Sequence, residues 1–343
     1  MLDILWSMPK RLRTEREIVA SLVDDLEVIV EYDAAIGRDM TWYGIGGNAD
    51  TLVRPRTVNA LRTLLRRARE ESITVRVLGS GANLLVDDDG VDGIVVHLDE
   101  APFREASTIH RHRKNRGGAG EAGDGARIMA GASMERLVIR FALDGMSGIE
   151  MMAGVPSSLG GAIRMNAGGK FGSIGDAVAA VGALDLDGRL VVHPAEELEF
   201  GYRRTSLIEP VILWAELKLT PDDPKRVHER VKEIFKYKKS SQPMGEASAG
   251  CVFKNPPSPQ NPQQRMSAGE LIDRAGLKGL SKGGAMISER HANFFVAREG
   301  ASARDLIQLI ELAVSRVRDQ FGVELRRELV VWRRKDAAGE AGE

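Results

Sequence analysis

Leu78-Gly79-Ser80-Gly81-Ala82-Asn83-Leu84-Leu85-Val86 joins two apolar runs through a turn of two glycines, a serine, an alanine and an asparagine. The β-rich run Ile73 to Leu78 leads into it, and a second apolar strand is expected over Gly93 to Leu98. Glycine reaches positive φ and lets main-chain N–H groups approach a ligand with no Cβ in the way. Neither Gly79 nor Gly44 begins a G-x-G-x-x-G, and no G-x-x-x-x-G-K-[ST] occurs, so Rossmann and P-loop readings are both disfavoured. A lone Gly-x-Gly is most often just a tight turn.

Two more segments combine glycine with short polar residues: Gly44-Ile45-Gly46-Gly47-Asn48-Ala49, and Gly160-Gly161 through Asn166-Ala167-Gly168-Gly169. Glycine is in excess, 37 of 343 residues, against a usual level of about 7%. Three such loops in order, each beside an apolar strand, fit one extended ligand gripped from several segments.

Around these loops the chain reads as mixed α and β. Thr14-Glu15-Arg16-Glu17 fits a capping box ahead of a helix carrying Ile18, Val19, Leu22, Val23 and Leu26. Thr57 caps a second helix with Leu61, Leu64, Leu65 and Ala68 on one stripe. Further helices are expected from Ser133 to Leu143, Lys225 to Lys239, Ala268 to Ala275, and after Ser302-Ala303-Arg304-Asp305. Strands are expected at Val178 to Leu186, Leu190 to His193, Val211 to Leu219 and Ala292 to Ala297. Residues 108–127 mix a basic run with a Gly/Ala/Asp/Glu tract that offers nothing to bury, and read as a mobile surface insertion. Pro221 to Pro224 breaks the chain, which places a domain boundary at 220.

Composition excludes several classes. Lys+Arg at 48 against Asp+Glu at 49 leaves a net charge of −1, so neither nucleic acid nor an anionic membrane is an expected partner. The single cysteine, Cys251, cannot form an internal disulfide, and the six histidines show no metal-ligand spacing. Met1 to Arg13 has only a short apolar run before its basic residues, unlike a signal peptide. A cytoplasmic protein, monomeric or weakly oligomeric, is expected.

The motifs, taken together, resemble a known family. They are Gly44-Ile45-Gly46-Gly47-Asn48-Ala49-Asp50, the 78–86 stretch, and Gly148-Ile149-Glu150 through Ala153-Gly154-Val155-Pro156-Ser157-Ser158-Leu159-Gly160-Gly161-Ala162. They continue through Met165-Asn166-Ala167-Gly168, Gly201-Tyr202-Arg203, Ser248-Ala249-Gly250-Cys251-Val252-Phe253-Lys254-Asn255-Pro256, Leu271 to Gly279, and Leu325-Arg326-Arg327-Glu328. In this order, from about Thr41 to Val330, they resemble the UDP-N-acetylenolpyruvoylglucosamine reductases (MurB). The likeness is to the branch without a tyrosine-bearing loop that closes over the nucleotide.

That resemblance implies an α+β fold: a vanillyl-alcohol-oxidase-type (PCMH-type), two-part FAD-binding unit over residues 1–220, then a separate α/β substrate domain over 221–343 whose last strand could return to the first. It implies FAD as cofactor, NADPH as reductant and a UDP-sugar as substrate. Gly46, Gly47, Gly79, Ser80, Gly81, Ala82, Asn83, Leu84, Gly154, Val155, Pro156, Gly160, Gly161, Ala162, Asn166 and Gly168 would hold FAD. Arg203 would bind or polarise the substrate carboxylate, Glu328 would assist opposite it, and Cys251 stands where the family most often has a serine proton donor. Tyr202, Lys254 and Asn255 would meet the UDP-sugar, with Lys239, or its neighbour Lys238, on the diphosphate. Departures include Ala82, where serine is common, and Gly169-Lys170-Phe171-Gly172, where Ala-Tyr-Gly is usual. Two readings compete with this one: an FAD-linked oxidase of the same fold, and a nucleotide-sugar sensor without turnover.

Overall fold

The computed structural model describes residues 14–109, 125–258, 261 and 263–334. Helix α1 (Glu15–Val23) starts at the expected capping box: Thr14 N donates to Glu17 Oε2 (2.8 Å) and Glu17 N to Thr14 Oγ1 (3.3 Å). It stops at Val23, before Leu26, and the chain turns into a strand that the periodicity did not announce, β1 (Val28–Ala34). Then come α2 (Ile36–Met40), β2 (Ala49–Pro55), α3 (Val58–Glu70), β3 (Val75–Leu78), β4 (Leu84–Val86) and β5 (Val91–His97). As expected, Thr57 caps α3, and Leu61, Leu64, Leu65 and Ala68 are its buried stripe. The sheet runs β1-β2-β5-β3, with β1 antiparallel and the other three parallel. Leu78 pairs with His97, so the 79–83 turn and the end of β5 lie side by side at the carboxyl edge of parallel strands, where open α/β sheets hold ligands.

A second layer follows: β6 (Ala106–Ile109), β7 (Gly125–Met129), α4 (Met134–Leu143), β8 (Met146–Ser147), α5 (Leu159–Arg164), β9 (Gly168–Gly169), β10 (Gly172–Ser173), β11 (Val178–Leu184), β12 (Leu190–Pro194), β13 (Phe200–Gly201), β14 (Arg204–Thr205), β15 (Val211–Lys218), β16 (Thr220–Pro221) and α6 (Pro224–Ser241). Its main sheet is antiparallel, ordered β12-β11-β15-β7-β6. The insertion expected at 108–127 is narrower than that, because residues 106–109 and 125–129 are paired strands with Ile109 opposite Gly125. Its remainder, 110–124, lies outside the described residues. Since Ile109 and Gly125 face each other, replacing 110–124 by Asn-Gly closes a two-residue hairpin. Flavin content and turnover of the purified variant should stay within a few-fold of the parent; loss of flavin would assign the tract to the core.

The boundary expected at 220 does not match the packing. Helix α6 is capped by Asp223, which accepts from Lys225 N at 2.8 Å, and its Ile234 and Val231 pack into the core of the preceding layers. Arg230 on the same helix pairs with Glu150 (2.9 Å) and Asp222 (2.8 Å). An amphipathic helix belongs with the core that takes its apolar stripe, so apolar contacts divide the chain near 242. Beyond lie α7 (Ala268–Arg274), β17 (Ser281–Lys282), β18 (Ala285–Ile287), β19 (Phe295–Ala297), α8 (Ala303–Phe321) and β20 (Val330–Trp332). They enclose a second core around Phe253, Leu271, Ile272, Phe295, Leu306 and Leu309. Among the ties that lead back, Ala303 N and Arg304 N donate to Asp88 (2.9 and 3.0 Å), and β20 pairs in parallel with β4. Among the described residues no helix is long and apolar enough to cross a membrane.

Candidate active site

Between the parallel sheet and the antiparallel one lies a cleft of about 680 Å³, lined in part by Gly79, Ser80, Pro156, Ser158, Gly160 and Gly161. That volume is in the range of small-molecule and cofactor sites. Ser80 Oγ donates to the carbonyl of Pro156 (2.8 Å) and so ties the glycine turn to the 154–162 segment. Gly81 has φ +66°, and a Cβ there would strike the Met40 carbonyl. His97 Nδ1, Asp99 Oδ1 and Ser157 Oγ are buried without a hydrogen-bond partner among the described residues, and all three residues line the cleft. Buried polar atoms are nearly always paired, so these three fit a polar ligand such as FAD. His97 and Asp99 lie outside every motif, and the signal that could have found them is the register that sets His97 beside Leu78; Ser157 lies inside the 148–162 wording, which does not mark it as a contact.

Other residues expected at the cofactor frame the site instead of lining this cleft. A Cβ on Gly46 would meet the Val86 carbonyl and one on Gly47 the Asp88 carbonyl, while Gly47 N donates to Asp87 O at 2.9 Å. Both glycines allow backbone to press on backbone behind the turn. Leu84 and Ala162 are buried, and Val155 packs against the first core. Gly154 is enclosed by Phe235, Met244 and Lys238. Buried Asn166 donates through Nδ2 to Gly201 O (2.9 Å) and accepts from Gly175 N (3.0 Å). Asn83, beside Ala82, donates to Glu328 O (3.1 Å), and its own carbonyl accepts from Val330 N (3.2 Å). It latches the glycine turn to the distant Glu328 segment.

Arg203, Glu328 and Cys251 come together from three regions of the chain. Arg203 sits in the turn between β13 and β14 at φ +56°, a conformation uncommon outside glycine. Its Nε donates to Glu328 Oε1 (2.6 Å) and its Nη2 to Gly168 O (2.8 Å). Glu328 N in turn donates to Val252 O (2.8 Å), which sets Glu328 beside Cys251. Buried Asn293 fixes the cysteine segment by donating to Phe253 O (2.8 Å) and accepting from Phe253 N (2.9 Å). The motifs did not mark it. Burial raises the Glu328 carboxyl, with Arg203 pulling the other way.

Burial, helped by the charge of Glu328, pushes the Cys251 thiol up to about 12. Arg203 lowers it, as its charge suggests, but is outweighed. A group whose pKa is raised keeps its proton, so the thiol stays neutral across pH 6–9. At pH 8 the thiol is held in its protonated form. Iodoacetamide at that pH should therefore inactivate far more slowly than it alkylates free cysteine; inactivation as fast as free cysteine reacts would show an ionised thiol.

The expected substrate residues divide. Tyr202 accepts from Asn255 N (3.2 Å), and its ring packs against the guanidinium groups of Arg203 (5.3 Å) and Arg265 (4.1 Å). Lys254 is half-buried and its charge acts on Glu328. Asn255 uses Oδ1 to accept from Ala268 N (3.0 Å), which organises the start of α7 and occupies that oxygen. Lys239 is exposed, whereas Lys238 is buried with Nζ on Met151 O (3.1 Å) and Ala153 O (2.6 Å). Neighbours on a helix point about 100° apart, so only one of two consecutive lysines can turn inward. Burial, then the charge of Arg203, bring the Lys238 ammonium down to about 8.

Comparison with known proteins agrees with this geometry. Residues 49–193 match the FAD binding domain model, and residues 242–332 match the model of the UDP-N-acetylenolpyruvoylglucosamine reductase C-terminal domain. The protein of that name from Desulfosudis oleivorans is 40% identical over 312 residues, covering 88% of this chain and 94% of its own length. The one from Moorella thermoacetica is 35% identical, covering 92% and 97%. The crystal structure of the reductase from Thermus caldophilus superposes with a TM-score of 0.69 at 35% identity, over 89% of this chain and 99% of that one. Fold, cleft and matches define an oxidoreductase with an FAD-binding domain. The chain belongs to the UDP-N-acetylenolpyruvoylglucosamine reductase (MurB) family.

Proposed function

We infer that the chain reduces the enolpyruvyl group of UDP-N-acetylglucosamine enolpyruvate to give UDP-N-acetylmuramate, with NADPH as reductant, in the supply of peptidoglycan precursors. The observation that carries this reading is the convergence of Arg203, Glu328 and Cys251, with Arg203 also bound to Gly168 and Glu328 to Asn83. FAD, when bound, supplies the hydride for the terminal vinyl carbon. Arg203 offers a fixed, planar donor to the substrate carboxylate, onto which charge moves from the neighbouring carbon. Cys251 Sγ–H then gives its proton to that carbon. One hydride and one proton add across the C=C bond, and the thiolate left behind regains a proton from water.

Glu328 turns the Arg203 fork through a 2.6 Å hydrogen bond and, with its carboxyl raised, moderates the negative charge near the thiol. Lys238 and Lys254 add positive charge for an anionic UDP-sugar. In anaerobic solution NADPH should bleach the bound flavin, and UDP-N-acetylglucosamine enolpyruvate should restore its yellow colour. A bleached flavin that oxygen reoxidises but this substrate does not would overturn the reading in favour of an oxidase.

A further inference from the structure

The Lys170-Phe171 pair is a departure from the family pattern that the chemistry above leaves unused. It forms the tip of the β9–β10 hairpin, where Gly169 pairs with Gly172 and Gly168 with Ser173. The base of this hairpin belongs to the site, because Gly168 O accepts from Arg203 Nη2. Three residues of extended chain reach at most about 10 Å, so the tip stays near the reacting end. There Phe171 meets Tyr237 of α6 edge to face, with centroids 5.3 Å apart and planes at 87°. Lys170 Nζ lies 5.0 Å from the Tyr237 centroid and 5.9 Å from that of Phe171.

Both rings remain substantially open, Phe171 at 42% and Tyr237 at 43% exposure. Phe235 and Met244, also exposed, flank Gly154 beside Lys238, which follows Tyr237 in the same helix. Two exposed aromatic rings thus stand in water beside Lys170, and Phe235 and Met244 stand exposed beside Lys238 of α6. Exposed apolar groups clustered with charge mark a binding surface. Aromatic faces suit a planar base, and ammonium groups suit a diphosphate.

We propose that Phe171 and Tyr237, with Lys170, clamp the uridine diphosphate of the substrate, the hairpin tip folding over the base in place of the nucleotide-closing loop that this branch lacks. The clamp rests on the function inferred above. It acts through the nucleotide half of the substrate.

The test is binding of UDP, by calorimetry, and of UDP-N-acetylglucosamine enolpyruvate, by flavin absorbance, to the FAD-loaded protein and to Phe171→Ala and Tyr237→Ala. Stacking on one base is equivalent to about 1–3 kcal/mol, or about 5- to 150-fold in Kd. Each alanine variant should lose that much affinity for both ligands and gain correspondingly in KM for the enolpyruvate. Phe171→Tyr and Tyr237→Phe should restore binding, which a merely structural role would not require; retained flavin shows that the variants are folded. Parental affinity for UDP in both alanine variants overturns the clamp. If the parent itself failed to turn over the enolpyruvate, the inferred function would fall instead.

Discussion

Replacing Cys251 with alanine leaves reduction of the flavin by NADPH at the parental rate and slows its reoxidation by UDP-N-acetylglucosamine enolpyruvate by about 10²–10⁴-fold, the usual cost of a lost general acid. The asymmetry follows from the chemistry, which asks this side chain for one proton in the second half-reaction and for nothing in the first. Cys251→Ser keeps substantial activity, because a hydroxyl of similar size holds a proton at the same point. Asn293 keeps the segment in place in either variant, since its bonds go to the backbone of Phe253 and not to the thiol alone. The measurement is anaerobic stopped-flow absorbance of the pre-reduced Cys251→Ala enzyme mixed with substrate. Reoxidation at the parental rate would put the proton elsewhere and leave Cys251 a packing residue.

Arg203→Lys is expected to reduce turnover with substrate by about 10²–10³-fold, comparable to removing one donor from a charge-stabilising site. Lysine keeps a charge but cannot bond Glu328 and Gly168 at once while presenting a flat edge to a carboxylate. The left-handed backbone of Arg203 adds little to the contrast, because lysine inherits the same φ. Flavin reduction by NADPH should be unaffected. Equal losses in both half-reactions would make Arg203 a residue of the fold or of FAD binding.

Much of this architecture was legible in the sequence where local chemistry agreed with tertiary packing. Thr14, Thr57, Ser133 and Ser302 each cap the helix expected after them, because a capping hydroxyl and the N–H that donates to it are three residues apart and need no distant partner. Strand β1 was missed since its residues are half-buried with no clean alternation, and only pairing with β2 defines it. The fate of α6 was misread for a similar reason: Pro221 to Pro224 does break the chain, but a break does not say which core the next apolar stripe joins. In the site, Arg203, Cys251 and Glu328 were found through wording shared with a family. His97, Asp99 and Asn293 carry no such wording, and Ser157 lies inside it without being marked; their importance lies in atoms left unpaired or backbone held, which only coordinates reveal. Of the two consecutive lysines offered for the diphosphate, the fold buries Lys238 and exposes Lys239, a difference of one helical step that the sequence pattern does not decide.

Strand β20 has a consequence for biogenesis. Leu84 to Val86, which follow the glycine turn, take their parallel partner from Val330 to Trp332, and Asn83 bonds to the same late segment. On the ribosome, therefore, the first unit emerges with one strand unpaired and the latch of its turn open until the last part of the described chain has left the exit tunnel. A nascent chain stalled after residue 242 therefore carries a parallel edge at β4 for which a second copy's residues 330–332 are the matching strand.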